Sequence, residues 1–124
     1  MKRDIELVKL ILEHFEAKED WHHEKGLRIP GYEFELTQYH LQIMYEAGFI
    51  NAEPIQTAKG RLCDLLPFRL TWKGHEFLDT IRGKNIWPKI KEMVKSKGGQ
   101  LSFELIKQIA GRLVETELMP KVST

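Results

Sequence analysis

The sequence predicts a mainly helical protein with one small β hairpin, an α+β fold. Five stretches place apolar residues three or four positions apart, the spacing of a helix that buries one face. Two further stretches, residues 49–57 and 62–70, are apolar and strand-like and are separated by a turn containing Gly60. The 124 residues are 42% hydrophobic and 30% charged, the composition of one soluble globular domain. We therefore expect a core over residues 1–83 and a helical extension over residues 84–124 that packs on the same domain.

The first helix is expected to begin after Asp4, because an aspartate can accept hydrogen bonds from the free amides of a first turn. Its apolar face consists of Ile5, Val8, Ile11, Leu12 and Phe15. A polar loop over residues 17–26 follows, with Trp21 expected to lie against the domain. Residues 27–29 are predicted to form a short strand that ends in a turn at Pro30 and Gly31.

The second helix is predicted within residues 35–50 and ends at Gly48, which can take the left-handed conformation of a helix end. His40 lies in the middle of the apolar face and is expected to be a hydrogen-bonded core residue. The other residues of that face are Leu36, Leu41, Ile43, Met44 and Ala47, and the outer face carries Glu35, Gln38, Gln42, Tyr45 and Glu46.

The hairpin that follows carries two positive charges at its tip, Lys59 and Arg61. Pro54 and Pro67 each lack a backbone donor, so the two strands are expected to be short, irregular or at an edge.

Three more helices are predicted in the second half of the chain. Thr71 is expected to cap a helix that runs to about Arg82, with Gly74 allowing a close backbone approach. Asn85 is expected to cap a helix from Ile86, which ends at Lys97 and Gly98. Ser102 is expected to cap the last helix, which runs to about Leu118 and buries Leu105, Ile106, Ile109, Ala110 and Leu113.

The order of these elements, with AGFI at 47–50 and RLTWKGHEFLDTIR at 69–82, resembles winged-helix proteins over about residues 4–82. The resemblance implies a winged helix-turn-helix-like domain with a two-helix C-terminal extension. One departure is RIPGYE at 28–33, which stands where those proteins have a short helix before the recognition helix.

A second resemblance is narrower and spans nearly the whole chain. The segments MKRD, GYEFELTQYHLQIMYEAGFI, RLTWKGHEFLDTIR and KGGQLSFELIKQIA are together similar to one family of bacterial, phage and prophage proteins, domain of unknown function 2513. This resemblance implies a phage or prophage context and carries no established reaction or site.

The winged-helix resemblance favours binding of double-stranded DNA, and the family resemblance implies that such a regulator is of phage or mobile-element origin. Gln38 and Gln42 can pair with adenine edges, whereas Glu35 and Glu46 repel phosphates. Basic residues of the hairpin tip and the penultimate helix would then supply the affinity. The residues predicted to contact DNA or a partner are Gln38, Gln42, Tyr45, Lys59, Arg61, Lys89 and Lys91.

The alternative is a protein-interaction adaptor that uses the same scaffold without binding DNA. Tyrosines beside neutral amides suit protein interfaces, and the two amphipathic C-terminal helices are candidates for pairing in a homodimer.

The sequence predicts no catalytic residue, metal site, cofactor or small-molecule substrate. The five histidines show no recognised zinc spacing, and the single cysteine, Cys63, has no evident base beside it. That cysteine count fits a reducing compartment, and no apolar run approaches the roughly 20 residues that span a bilayer. We therefore expect a non-enzymatic, cytoplasmic protein without membrane attachment.

Overall fold

The computed structural model of the protein describes residues 1–56, 59–60 and 62–118, which form five helices and a two-stranded antiparallel sheet. The mainly helical α+β fold class is therefore confirmed. In chain order the elements are α1 (Ile5–Ala17), α2 (Phe34–Glu46), β1 (Ile50–Gln56), β2 (Leu62–Leu70), α3 (Trp72–Ile81), α4 (Trp87–Ser96) and α5 (Phe103–Leu118).

Helix α1 is the centre of the core and packs against α2, α3 and β2. The carboxylate of Asp4 accepts hydrogen bonds from the amides of Glu6, at 2.9 Å, and Leu7, at 3.4 Å, so the predicted N-cap is confirmed. The predicted apolar face is also confirmed, since all of its members are buried.

Helix α2 ends in a Schellman motif. Gly48 has φ of 81°, its amide donates to the carbonyl of Tyr45 at 3.0 Å, and the amide of Phe49 donates to that of Met44 at 2.9 Å. This ending satisfies carbonyls of the last turn and redirects the chain into β1, as the sequence predicted. The helix stops at Glu46, while Ile50 already belongs to β1. One fully buried residue, Thr37, was not predicted, and its hydroxyl donates to the carbonyl of Glu33.

The β1–β2 hairpin is antiparallel and irregular, as its prolines predicted. The pairing register shifts between Asn51 and Ala52 and again between Ile55 and Gln56. Ala52 pairs with Pro67, which has no amide to donate, so the ladder is interrupted beside the first shift.

The start of α3 is joined to the end of α2 through Thr71 and Gly74. The hydroxyl of Thr71 accepts a hydrogen bond from the Gly74 amide at 3.0 Å and donates to the carbonyl of Gly48. A Cβ atom on Gly74 would lie 2.1 Å from the carbonyl oxygen of Phe49. The cap and the close approach at Gly74 are therefore both confirmed.

The start of α4 differs from the prediction. Asn85 lies exposed in a turn, and the cap position is Ile86, which offers no side-chain hydrogen bond. The amides of Ile86 and Trp87 both donate to the carbonyl of Gly83, and the Ile86 side chain is buried in the core. Burial of this isoleucine therefore sets the start of the helix. The predicted end at Lys97 and Gly98 is confirmed.

Helix α5 packs on α3 and α4. The hydroxyl of Ser102 accepts a hydrogen bond from the Leu105 amide at 3.1 Å, which confirms the predicted cap. Ile106 and Ala110 are buried, but Leu105, predicted in the same stripe, is 41% exposed. The tail from Met119, which the sequence predicts to be frayed, lies outside the described residues.

Two predictions for the segment between α1 and α2 were wrong. Trp21 is not buried against the domain, since it is 75% exposed. Residues 27–29 form no strand, although Leu27 and Ile29 are buried. The carbonyl of Leu27 accepts a hydrogen bond from the Gln38 side chain instead of from a neighbouring strand. The turn at Pro30 and Gly31 is present as predicted.

Candidate functional site

A groove lies between α2 and the hairpin and contains two of the predicted contact residues. Its volume is about 340 Å³. Gln38 and Gln42, one helical turn apart on α2, line it together with Asp64 and Leu65 of β2. The remaining lining residues are Lys25, Gly26 and Phe34. The fold thus brings the outer amides of α2 beside the hairpin.

The two amides differ in their freedom to bind a ligand. The Nε2 of Gln38 donates to the carbonyl of Leu27 at 2.8 Å, so this side chain holds the segment before α2. Gln42 makes no side-chain hydrogen bond within the described part of the chain and lies open to the groove. The structure therefore leaves Gln42 as the available amide of the pair.

The ends of the outer face of α2 carry negative charge. Glu35 and Glu46 are exposed, as is Tyr45, and the helix contains no lysine or arginine. Arg28 brings a positive charge close to the helix, with its guanidinium 4.6 Å from the centre of the Phe34 ring. A polyanion that approached α2 would meet carboxylates on the helix and cations only beside it.

The hairpin extends away from the core toward its tip. Ile50 is buried at the base of β1, whereas residues 53–56 are exposed. At the tip Lys59 is exposed and Gly60 has φ of 79°, as a tight turn requires. Arg61 lies outside the described residues.

The two lysines predicted on α4 are not part of this groove. Lys89 is exposed, whereas the Nζ of Lys91 lies 2.5 Å from a carboxylate oxygen of Glu6. Lys91 lines a different cavity, together with the residues that lead into α1. Of the predicted contact residues that the structure describes, the groove therefore holds only Gln38 and Gln42.

His40 supports α2 from behind and is fully buried. Its Nε2 accepts a hydrogen bond from the Asp4 amide at 2.8 Å, and its Nδ1 donates to the carbonyl of Leu36 at 2.8 Å. Only a neutral imidazole protonated at Nδ1 can make both bonds. Burial lowers the pKa of His40 below its ordinary value. The predicted core role of this histidine is therefore confirmed.

Comparison with known proteins gives a family and no reaction. The profile of a family described as "Hypothetical protein (DUF2513)" matches residues 2–100. A protein of Haemophilus influenzae described as "Uncharacterized protein" is 34% identical over 122 residues, which cover 95% of this chain and 99% of the relative. The chain belongs to the DUF2513 family. No solved structure matches it, so the winged-helix resemblance stays a prediction.

A cluster at the base of the hairpin was not predicted. The guanidinium of Arg69 lies 5.7 Å from the centre of the exposed Trp21 ring. Two residues after Trp21, His23 has its ring 5.0 Å from that of Phe68 and its Nε2 3.1 Å from a carboxylate oxygen of Glu53. The isolated tryptophan in a polar loop was the available signal, but the residue that would contact it could not be inferred.

The other histidines pair singly with carboxylates or stand at the surface. The Nε2 of His14 lies 2.7 Å from a carboxylate oxygen of Glu24, and His75 is exposed. Within residues 1–56, 59–60 and 62–118, no three His, Cys, Asp or Glu side chains converge to hold a metal ion. No helix in the same ranges is long and apolar enough to span a membrane.

Proposed function

We propose that this chain is a non-enzymatic, cytoplasmic DNA-binding regulator of phage or mobile-element origin that contacts duplex DNA with α2 and the hairpin. The observation that carries the proposal is the placement of an extended hairpin, with Lys59 exposed at its tip, beside the groove that holds Gln42. A major groove admits one helix, and a neighbouring hairpin can then reach the phosphate backbone.

The distribution of charge gives α2 and the hairpin different roles in DNA binding. Because Glu35 and Glu46 repel phosphates, α2 contributes little affinity. Lys59 and Arg61 at the hairpin supply phosphate contacts, while Gln42 contacts a base edge. The bond between Gln38 and Leu27 assigns Gln38 a supporting role in the same surface.

The test is the salt dependence of binding to a fluorescently labelled duplex, followed by anisotropy. The double variant Lys59→Glu/Arg61→Glu should lose binding at low salt. A milder pair, Lys59→Gln/Arg61→Gln, should lower the slope of log K against log salt by about two, because two phosphate contacts are lost. The control variant Lys84→Glu/Lys107→Glu changes two exposed lysines outside the proposed surface and should leave the slope unchanged.

Base reading by Gln42 is tested separately, with a selected preferred duplex. Gln42→Ala should reduce the preference for that duplex over a scrambled one and leave the salt slope intact. If the parent protein shows no salt-dependent binding to any duplex, the DNA proposal fails.

A protein-interaction adaptor is the second candidate, and the exposed aromatic residues favour it. Tyr45 lies at the end of α2, and Trp21 lies beside Arg69 at the hairpin base. Tryptophan, tyrosine and arginine are the residues most enriched at the centres of protein interfaces. This function predicts a partner whose binding Trp21→Ala or Tyr45→Ala weakens, with little dependence on salt.

A homodimer through the C-terminal helices is part of the same alternative. Met93 of α4 and Leu105 of α5 are exposed apolar residues suited to such a contact. A monomeric mass in light scattering at protein concentrations of tens of micromolar would rule out this arrangement.

A further inference from the structure

A second concave surface lies on the face formed by the start of α1 and the end of α4. It is a cavity of about 850 Å³, which falls in the range of roughly 300–1,000 Å³ typical of small-molecule sites. Residues 2–6 form one wall, and residues between 91 and 100 form the other. Leu36, at the start of α2, completes the lining.

The floor of this cavity is apolar and belongs to the core. Ile5 and Val94 are both buried members of the main hydrophobic cluster, and Leu36 packs against that cluster. These side chains are held by their own packing, so the apolar surface is formed before any ligand arrives. An apolar group that entered here would be removed from water without a rearrangement of the fold.

Two sets of polar contacts hold the walls in place. The Nε2 of Gln100 donates to the carbonyl of Arg3 at 3.0 Å and to that of Gly99 at 2.9 Å, joining the N-terminal segment to the turn after α4. The Lys91–Glu6 ion pair joins α4 to α1 on the same cavity. The walls of the cavity are therefore held together by contacts between residues almost a hundred positions apart in the sequence.

The charges around the cavity leave positive groups without partners. Its lining includes four cations and three carboxylates, but the Asp4 carboxylate caps α1 and that of Glu6 is paired with Lys91. Lys2 and Lys95 form no ion pair with any described residue. Glu92 is the one carboxylate of the lining that has neither role. The rim thus offers more uncommitted positive than negative charge.

We propose that this cavity binds a free amphipathic organic anion, a small molecule with an apolar chain or ring and one carboxylate-like group. The apolar part would cover Ile5, Leu36 and Val94, and the anionic group would lie between Lys2 and Lys95. A neutral compound of the same shape would lose the charge interaction, and a cationic one would be repelled. This site is separate from the proposed DNA surface and does not depend on it.

The test uses three probes with the same chain and different heads: decanoate, decanol and decyltrimethylammonium. Decanoate and decyltrimethylammonium are titrated below their micelle-forming concentrations and decanol below its solubility limit. Binding of each is followed by two-dimensional amide NMR spectra of the full chain. Decanoate should produce saturable shifts centred on residues 2–6 and 94–100, decanol should bind more weakly, and the cation should bind least.

Matched variants separate the charge contribution from apolar contact. Lys2→Glu/Lys95→Glu should weaken decanoate binding at least tenfold, about 1.4 kcal/mol, and should leave decanol binding unchanged. Lys2→Gln/Lys95→Gln should give an intermediate loss and keeps the test valid if charge reversal disturbs the fold. The control Lys84→Glu/Lys107→Glu has the same change in net charge and should bind decanoate like the parent.

Several results would overturn the proposal. Equal affinity for decanoate and decanol, or unchanged affinity in the Lys2 and Lys95 variants, would remove the role of charge. Shifts centred on Phe49, Phe77 and Lys107 would place the ligand in a different cavity, of about 230 Å³. Binding to anionic vesicles without any saturable binding of free decanoate would replace the small molecule with a membrane surface.

Discussion

Replacement of His40 by alanine is expected to destabilise the protein by about 3 kcal/mol or more at neutral pH. The imidazole is completely buried, and truncation of large buried side chains typically costs about 2–5 kcal/mol. The change also removes the acceptor for the part-buried Asp4 amide. A fully buried donor left unsatisfied costs about 1–3 kcal/mol, and this amide adds a part of that cost. The total is a large part of the roughly 5–15 kcal/mol by which domains are stable.

The stability difference between the parent and His40→Ala is also expected to depend on pH in one direction. Burial lowers the pKa of His40 from its ordinary value of 6.5, so the neutral imidazole is the form that stabilises the fold. The neutral imidazole contributes its full stabilisation above pH 6.5. This stabilisation is lost as the pH falls below 6.5 and through the lowered pKa of His40 in the folded protein. The loss can reach about 1.4 kcal/mol per pH unit. The difference in stability between the parent and His40→Ala should therefore shrink on acidification.

Urea denaturation of both proteins, at several pH values from about 7.5 to about 5, measures this difference. The other histidines are present in both proteins, so the difference between the two proteins isolates His40. His75→Ala is the matched control, because His75 is exposed on α3 and its loss should change stability by less than about 0.5 kcal/mol. A cost below about 1 kcal/mol for His40→Ala, or a cost that does not vary with pH, would refute the neutral double hydrogen bond as the basis of this effect.

Two further substitutions test how the helices are joined and capped. Gly74→Ala should cost about 2 kcal/mol or more in chemical denaturation, because its Cβ would overlap the carbonyl of Phe49. Gly111→Ala, in α5 with open space around it, should instead stabilise by up to about 1 kcal/mol, and equal effects at the two sites would contradict the argument. Asp4→Ala should cost about 1 kcal/mol through the lost cap bonds of α1, and a thermal midpoint equal to that of the parent would show that the cap contributes nothing.

The local elements were largely predictable because their determinants are local. Asp4, Thr71 and Ser102 cap the helices expected of them, and Gly48 ends α2 in the left-handed conformation. Each of these interactions joins residues only a few positions apart, so side-chain chemistry and spacing are enough to infer it. The hairpin could be predicted from its turn residues, and its irregularity could be predicted from Pro67 in β2.

The errors occurred where burial depends on a distant partner. Trp21 and Leu105 are apolar and were expected inside, but no apolar surface covers them among the described residues. Asn85 has the chemistry of a cap, yet burial of Ile86 sets the start of α4. Residues 27–29 are strand-like in composition, but the Gln38 side chain takes the Leu27 carbonyl that a strand partner would need.

The candidate sites also combine features that the local sequence predicts with features that depend on distant residues. The sequence by itself determined the outer residues of α2, the charged hairpin tip and the family. Only the tertiary structure placed Gln42 beside β2, paired Lys91 with Glu6, and joined residues 2–6 to residues 91–100 around one cavity. Helix and turn formation depend on neighbours along the chain, whereas a groove or a charge pair exists only after distant segments have packed together.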